Sequence, residues 1–154
     1  MQRILMAIAG MVLSCALVAA AMAGADGAGV YQRCFACHQA TGRGIEGTFP
    51  PLAGHLPELV KADRNYPILV VLYGLDGEIQ VRGKTYDGDM PPFGGQLKDD
   101  EVSAVLNYIL SSWGNDKMLP KGHKEYTPAE VTAQRGKKMT DKQVHEVREK
   151  LSLK

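Results

Sequence analysis

Five consecutive residues, Cys34-Phe35-Ala36-Cys37-His38, constrain this chain more tightly than any other stretch. The pattern C-x-x-C-H is the attachment signature of a c-type haem. Each thiol can add to a haem vinyl group and form a thioether bond. The intervening pair of residues, on a helical turn, sets the sulfurs at the separation this needs, and the next residue presents an imidazole to the iron. The same cysteines could serve a thioredoxin-like redox pair, half of a zinc site or a simple disulfide. A zinc site would need two further ligands nearby, yet the third cysteine, Cys15, sits in the N-terminal apolar run. The dithiol readings also leave His38, and a methionine far down the chain, without a role.

The 154 residues suffice for one domain and an appendage, and a formal net charge of +1 points neither to nucleic acid nor to an anionic membrane as partner. Arg3 supplies a positive start, residues 4–21 are apolar, and Ala21-Met22-Ala23 offers a small-x-small cleavage site. Residues 1–23 are therefore expected to be a signal peptide and the mature chain to begin near Gly24. Val12-Leu13-Ser14-Cys15 loosely matches a lipoprotein cleavage box, but the apolar run continues past Cys15. That run is also long enough to stay as a membrane anchor. Each alternative exports the rest of the chain, and the periplasm suits haem attachment, which is completed outside the cytoplasm.

Asp26 can cap a first helix that runs through Val30, Tyr31 and Cys34 into the haem signature. The glycine-rich stretch after it, Gly42-Arg43-Gly44-Ile45-Glu46-Gly47, reads as loop; a phosphate-loop reading fails for want of a preceding strand. Phe49-Pro50-Pro51-Leu52 makes a stiff turn, and a buried ligating imidazole needs an acceptor for its other N–H, commonly a backbone carbonyl. Residues 57–62 read as a short helix. Pro67 suits a helix start, although the apolar run through Ile68, Leu69, Val70, Val71 and Leu72 fits a buried strand equally well. Residues 77–86 alternate, with Ile79 and Val81 on one face and Gly83 as a break, and read as a small hairpin.

Met90 is the second informative residue. A thioether raises the potential of haem iron, and Asp89-Met90-Pro91-Pro92 holds this one in a stiffened loop. Methionine is more often core filler. After the leader, however, only Met118 and Met139 remain beside it, both in a polar tail. Residues 99–113 form the clearest helix: Val102, Val105, Leu106, Ile109, Leu110 and Trp113 share a face, Asp99, Asp100 and Glu101 favour its N-terminus, and Gly114 is expected to end it.

Charge then reverses. Residues 24–116 hold seven Lys/Arg against twelve Asp/Glu, and residues 117–154 hold ten against five. Thr127-Pro128-Ala129-Glu130 and Thr140-Asp141-Lys142-Gln143 are capping boxes that open short helices. A basic helical clasp around an acidic domain is expected, rather than a loose tail. His55, His123 and His145 are expected at the surface.

With Cys34, Cys37, His38, Pro50, Leu52, Met90 and the last amphipathic helix in place, the chain resembles the single-haem class I cytochromes c. Within that family it is most similar to the cytochromes c552 of thermophilic bacteria, soluble donors to ba3-type terminal oxidases. Gly47-Thr48-Phe49-Pro50-Pro51-Leu52-Ala53-Gly54-His55, Val71-Leu72-Tyr73-Gly74-Leu75 and Gln96-Leu97-Lys98-Asp99 carry the likeness, together with the basic extension. The resemblance implies an all-α cytochrome fold with a small β-hairpin beside the haem and a C-terminal helical clasp. It assigns residues 67–75 to helix. It implies one covalent haem c held by Cys34 and Cys37, with His38 and Met90 as axial ligands and the Pro50 carbonyl accepting from the His38 ring. Pro91-Pro92 and Gly94-Gly95 depart from the family pattern and reshape the Met90 loop.

The function expected from this is one-electron transfer in an exported respiratory chain, with no catalytic residue. The partners are an upstream quinol-oxidising complex and a terminal oxidase, met through weak, transient docking by a monomer. A fixed subunit of a dehydrogenase or reductase complex, and a haem-based gas sensor or enzyme, are the rival classes. Residues 24–116 make a small core by the area argument, and a buried porphyrin would enlarge it.

Overall fold

The computed structural model describes residues 24–151 and Leu153; the expected leader, including Cys15, lies outside them. Seven α-helices and one hairpin follow in the order α1 (Gly27–Tyr31), α2 (Phe35–His38), α3 (Leu56–Ala62), α4 (Tyr66–Tyr73), β1 (Ile79–Val81), β2 (Lys84–Tyr86), α5 (Asp99–Ser111), α6 (Pro128–Arg135) and α7 (Asp141–Lys150). The class is all-α with a small hairpin, as the resemblance implied. Among the described residues no helix is long and apolar enough to cross a membrane.

The Asp26 carboxylate caps α1 by accepting from the Ala28 amide at 3.1 Å. The helix does not run unbroken into the signature: a 3-10 turn, Gln32–Cys34, separates α1 from α2. Tyr31 is fully buried, packs edge-on against Phe35, and meets the rings of Tyr108 and Trp113 at 5.4 and 5.3 Å. This seats α1 on α5.

Helix α5 opens where the Glu101 carboxylate accepts from the Lys98 amide at 2.8 Å, and it buries Val102, Val105, Leu106, Ile109 and Leu110. It ends at Ser111, short of the expected Gly114, because Ser112 turns extended and Trp113 takes φ 53°. That reversal carries the Trp113 ring back onto Tyr31. Helix α4 resolves the strand-or-helix ambiguity as helix, with Tyr66 before Pro67 in its first turn. Five of its eight residues are buried, so no clear polar face exists for periodicity to detect. The hairpin pairs Ile79 with Tyr86 and Val81 with Lys84. Its two-residue turn, Arg82-Gly83, has positive φ at both positions, the turn whose twist matches paired strands.

Residues 117–151 fold back over this domain. Both capping boxes form: Thr127 and Thr140 each accept from, and are reciprocally bonded by, Glu130 and Gln143. Val131 on α6 and Val144 on α7 are completely buried. The Tyr126 hydroxyl donates to the Arg64 carbonyl at 2.7 Å, the Arg64 guanidinium lies 4.3 Å above the Tyr126 ring, and Asn107 bonds the Tyr126 backbone twice. The Tyr73 hydroxyl reaches the Gln134 and Arg135 carbonyls at 2.8 and 2.7 Å.

Two ion pairs tie α6 to the domain, Arg64 to Glu130 and Arg135 to Asp99, each at 2.7 Å. The Arg64 guanidinium holds the Glu130 carboxyl below its ordinary range. Partial burial raises Asp99, but the Thr132 hydroxyl and Arg135 outweigh it and leave that carboxyl lowered as well. Lowered carboxyls stabilise the fold above their unfolded pKa, and this contribution disappears as pH falls through the folded value. At roughly 0.5–1 kcal/mol per pair, the urea midpoint should fall between pH 5 and 3. A Glu130→Gln/Asp99→Asn variant should start lower at pH 7 and fall less over that interval, measured by tryptophan fluorescence.

Candidate functional site

Helices α2, α3, α4 and α5, the hairpin and the Met90 loop enclose one cleft, lined mainly by apolar side chains, with about 1340 Å³ of atom-free space partly open to solvent. Leu56, Leu59, Val70, Val71, Leu75, Ile79, Phe93, Val105, Leu106 and Ile109 are among the apolar residues of its wall. Cys34, Cys37 and His38, together in one short stretch, and Met90, far down the chain, all lie on its lining.

His38 is buried at the end of α2, and its Nδ1 donates to the Pro50 carbonyl at 2.9 Å. That bond assigns the proton to Nδ1 and leaves Nε2 as the free lone pair, the arrangement a metal-ligating histidine needs. Burial lowers the His38 pKa, and the Pro50 bond only partly opposes this, so the ring is neutral near pH 7.

The Pro50 carbonyl is held in place from several directions. The Leu52 and Ala53 amides both donate to the Gly42 carbonyl, at 2.7 and 2.9 Å, and the Gly44 amide donates to the His38 carbonyl at 3.1 Å. Gly44 has φ +68°, and a Cβ there would sit 2.6 Å from the Pro50 oxygen, so only glycine lets the loop close on this carbonyl. Asn115, completely buried, locks the far side. Its Oδ1 accepts from the Gly54 amide at 2.6 Å, while its Nδ2 donates to Leu52 and Ile109 carbonyls at 3.3 and 2.8 Å. Sequence reading missed Asn115, because an asparagine after a helix reads as turn chemistry until the loop it serves is placed beside it.

The Met90 loop is fixed by backbone pairing. Leu75 and Met90 exchange two hydrogen bonds of 3.0 Å, and the Phe93 and Gly94 amides donate to Val71 and Leu72 carbonyls, also at 3.0 Å. Thus the end of α4 carries the loop. The Arg135 guanidinium, brought by α6, donates to the Gly94 and Leu97 carbonyls from the other side.

Cys34 and Cys37 are free thiols. Burial pushes the Cys34 thiol up to about 11, and the neighbouring Cys37 adds to this. A thioredoxin-like nucleophile requires the opposite shift, so the dithiol-exchange alternative loses its chemistry here. The residues instead fit a covalent haem. Two thiols and a tautomerically fixed imidazole share an apolar cleft with a thioether, and Arg33, His55, Tyr66, Tyr86, Asp89 and Arg148 bring further polar groups to the wall.

His55, expected at the surface, is 3 % exposed and also lines the cleft. Arg148 of α7 lies 3.3 Å from His55 Nε2 and donates to the Gln80 carbonyl of β1 at 3.0 Å, a contact that composition does not reveal. His123 and His145 are partly exposed.

The cytochrome c family model matches residues 24–113. A cytochrome c-552 of Thermus thermophilus is 52 % identical over 136 residues, 87 % of this chain and 90 % of that protein. A second Thermus thermophilus cytochrome c-552 is 52 % identical over 132 residues, covering 84 % of this chain and 99 % of its own length. The cytochrome c subunit of the quinone alcohol dehydrogenase of Gluconobacter oxydans is 35 % identical over 95 residues, 60 % of this chain but 19 % of that subunit.

Gly74 gives a direct test of the loop geometry. It has φ +80°, and a Cβ would lie 2.5 Å from the Met90 carbonyl oxygen. Gly74→Ala should lose about 1–3 kcal/mol from backbone strain plus the displaced Leu75–Met90 pairing. Gly47→Ala, with φ +79° but open space, should lose only the backbone part. Urea unfolding of the two variants compares them.

Proposed function

This chain belongs to the cytochrome c family, and from that premise we propose that it carries single electrons between partners of an exported, periplasmic respiratory chain. Electrons would come from a quinol-oxidising complex and leave to a terminal oxidase, of the ba3 type by the resemblance. The observation that carries this reading is the convergence of Cys34, Cys37, His38 and Met90 on one apolar cleft.

When bound, the haem c supplies a one-electron couple at its iron. Cys34 and Cys37 would hold it by thioether bonds, and His38 and Met90 would ligate its iron. The Pro50 carbonyl keeps His38 oriented and its Nε2 available. Met90 raises the reduction potential, and the apolar wall excludes water and reinforces that effect. The loop and helix ends that position both ligands are cross-braced by Asn115 and Arg135, so little needs to move when charge changes.

Partner docking would use the surface formed by Phe35, Ala36, Gln39 and residues 91–95, which contains no charged residue. Arg33 and Asp89 are exposed charges at the cleft lining nearby. Such a surface suits the small, weak contacts of redox encounters.

A fixed-subunit reading draws on the dehydrogenase relatives, yet this chain matches only 19 and 20 % of the length of two of them. Against 90 and 99 % for the Thermus proteins, that favours a stand-alone carrier.

Titration of the reduced, haem-loaded protein with carbon monoxide at neutral pH should leave its optical spectrum unchanged. A saturating shift would show Met90 absent or labile and move the sensor or enzyme class ahead. Stopped-flow oxidation by a ba3-type oxidase should vary less than about tenfold between low and physiological ionic strength. A steeper fall would mean that charge steers the encounter.

A further inference from the structure

The last turn of α6 grips both segments that carry Met90. On the α4 side, the Tyr73 hydroxyl proton is shared between the Gln134 and Arg135 carbonyls, and its oxygen accepts from the Lys138 amide at 3.0 Å. Gly74 alone separates Tyr73 from Leu75, whose backbone exchanges two hydrogen bonds with Met90. On the loop side, the Arg135 guanidinium turns each of its three nitrogens to a different acceptor. Nε donates to Asp99 Oδ1 at 2.7 Å, Nη1 to the Gly94 carbonyl, and Nη2 to the Leu97 carbonyl at 2.9 Å.

Gly94 is held from two sides. Its amide donates to the Leu72 carbonyl at 3.0 Å and its carbonyl accepts from Arg135, so this stretch of loop lies between α4 and α6. A Cβ there would sit 2.6 Å from the Leu72 oxygen and 3.4 Å from Arg135 Nη1. Between Met90 and Gly94 stand Pro91, Pro92 and Phe93. A proline fixes its own φ, so the pair passes a restraint along the chain instead of absorbing it. Hydrogen bonds from a guanidinium are stronger than those between neutral groups, and a lysine ammonium, a point charge, does not reproduce a planar fork. Asp99 opens α5, so the same guanidinium refers the Met90 loop to the helix that carries α1.

We propose that Arg135 is a positioning residue for Met90, and that the extension, seated through it, keeps this thioether on the iron and small molecules off the metal. The inference rests on the haem reading above. Arg135 lies outside the cleft wall and acts through Gly94 and Leu97. With α6 seated, the Met90 loop is restrained from both sides and the protein is confined to electron transfer. With α6 lifted, the loop keeps its bonds to α4 but loses the opposing grip. Met90 then leaves the iron more often, and a small neutral molecule such as carbon monoxide can take its place. The extension thereby becomes a control on what the cofactor can bind, as well as a strap over the domain.

The test uses the haem-loaded full chain with Arg135→Leu, Arg135→Lys and, as a control, Arg64→Leu, each first checked for one haem per chain. Arg64 ties the opposite end of α6, through Glu130. In the ferric Arg135→Leu variant the sulfur-to-iron charge-transfer band should weaken, and amide exchange at Met90 and Leu75 should quicken about tenfold. The reduced variant should take up carbon monoxide with a saturating shift where the parent shows none, and the Lys variant should fall between them. Arg64→Leu should lower the urea midpoint yet keep the parent's band and its silence towards carbon monoxide. An intact band with parental exchange and no uptake in the Leu variant would overturn the proposal. So would an equal response in Arg64→Leu, since general loosening of the strap would then suffice. Should the Leu variant fail to fold, Arg135→Lys decides: a weakened band supports the positioning role and an unchanged one overturns it. A parent chain that itself takes up carbon monoxide, or binds no haem, would instead overturn the reading on which the inference rests.

Discussion

One hydrogen bond, from the His38 ring to the Pro50 carbonyl, sets the terms for much of the domain. A ligating imidazole must keep one nitrogen free and the ring still, so its other N–H needs an acceptor that does not move. The loop delivering Pro50 is accordingly pinned to Gly42 by two amides and to the end of α5 by Asn115. Since α5 also carries α1, and α1 leads into the cysteines, the two walls of the cleft are braced through the same helix. The Met90 loop follows the same logic on the other side, with α4 and Arg135 replacing Asn115 as the brace.

The C-terminal extension shows how an electrostatic expectation can reach the right shape for an incomplete reason. The opposed charges of the two segments suggested a basic strap drawn onto an acidic domain. Of the two ion pairs that tie α6 to the domain, one runs as expected, Arg135 to Asp99, and the other in reverse, from Arg64 of the domain to Glu130 of the extension. The deeper fixings are the burial of Val131 and Val144 and the hydrogen bonds of Tyr73, Asn107 and Tyr126. Exposed ion pairs contribute little individually, and apolar burial with satisfied backbone groups contributes more. Most of the extension's lysines remain exposed.

Several elements were legible before the fold because their signals are local. Asp26, the two threonine capping boxes, the alternation of Ile79 and Val81 around Gln80, and the apolar stripe of α5 depend only on near neighbours. The α4 segment was not legible by periodicity, since a helix buried on most sides loses its polar face. The end of α5 was misplaced because glycine at position 114 is a strong stop signal, whereas the chain turns earlier to seat Trp113 on Tyr31. His55 was expected at the surface and Arg148 entered only in the basic count of the extension, though the two meet across 93 positions of sequence in a buried contact.

By itself, the sequence determined the chemistry available to this protein: two thiols and an imidazole in a five-residue signature, a thioether in a proline-stiffened loop, and the helices able to enclose them. These follow from residue type and short spacing, which act over a turn or two of chain. Only the tertiary structure decided that the four groups share one cleft, that Pro50 and Asn115 hold His38 oriented, and that α7 places a buried guanidinium against the same wall. Those outcomes depend on burial, and burial belongs to the packed whole: a side chain loses its water only when segments distant in sequence close around it.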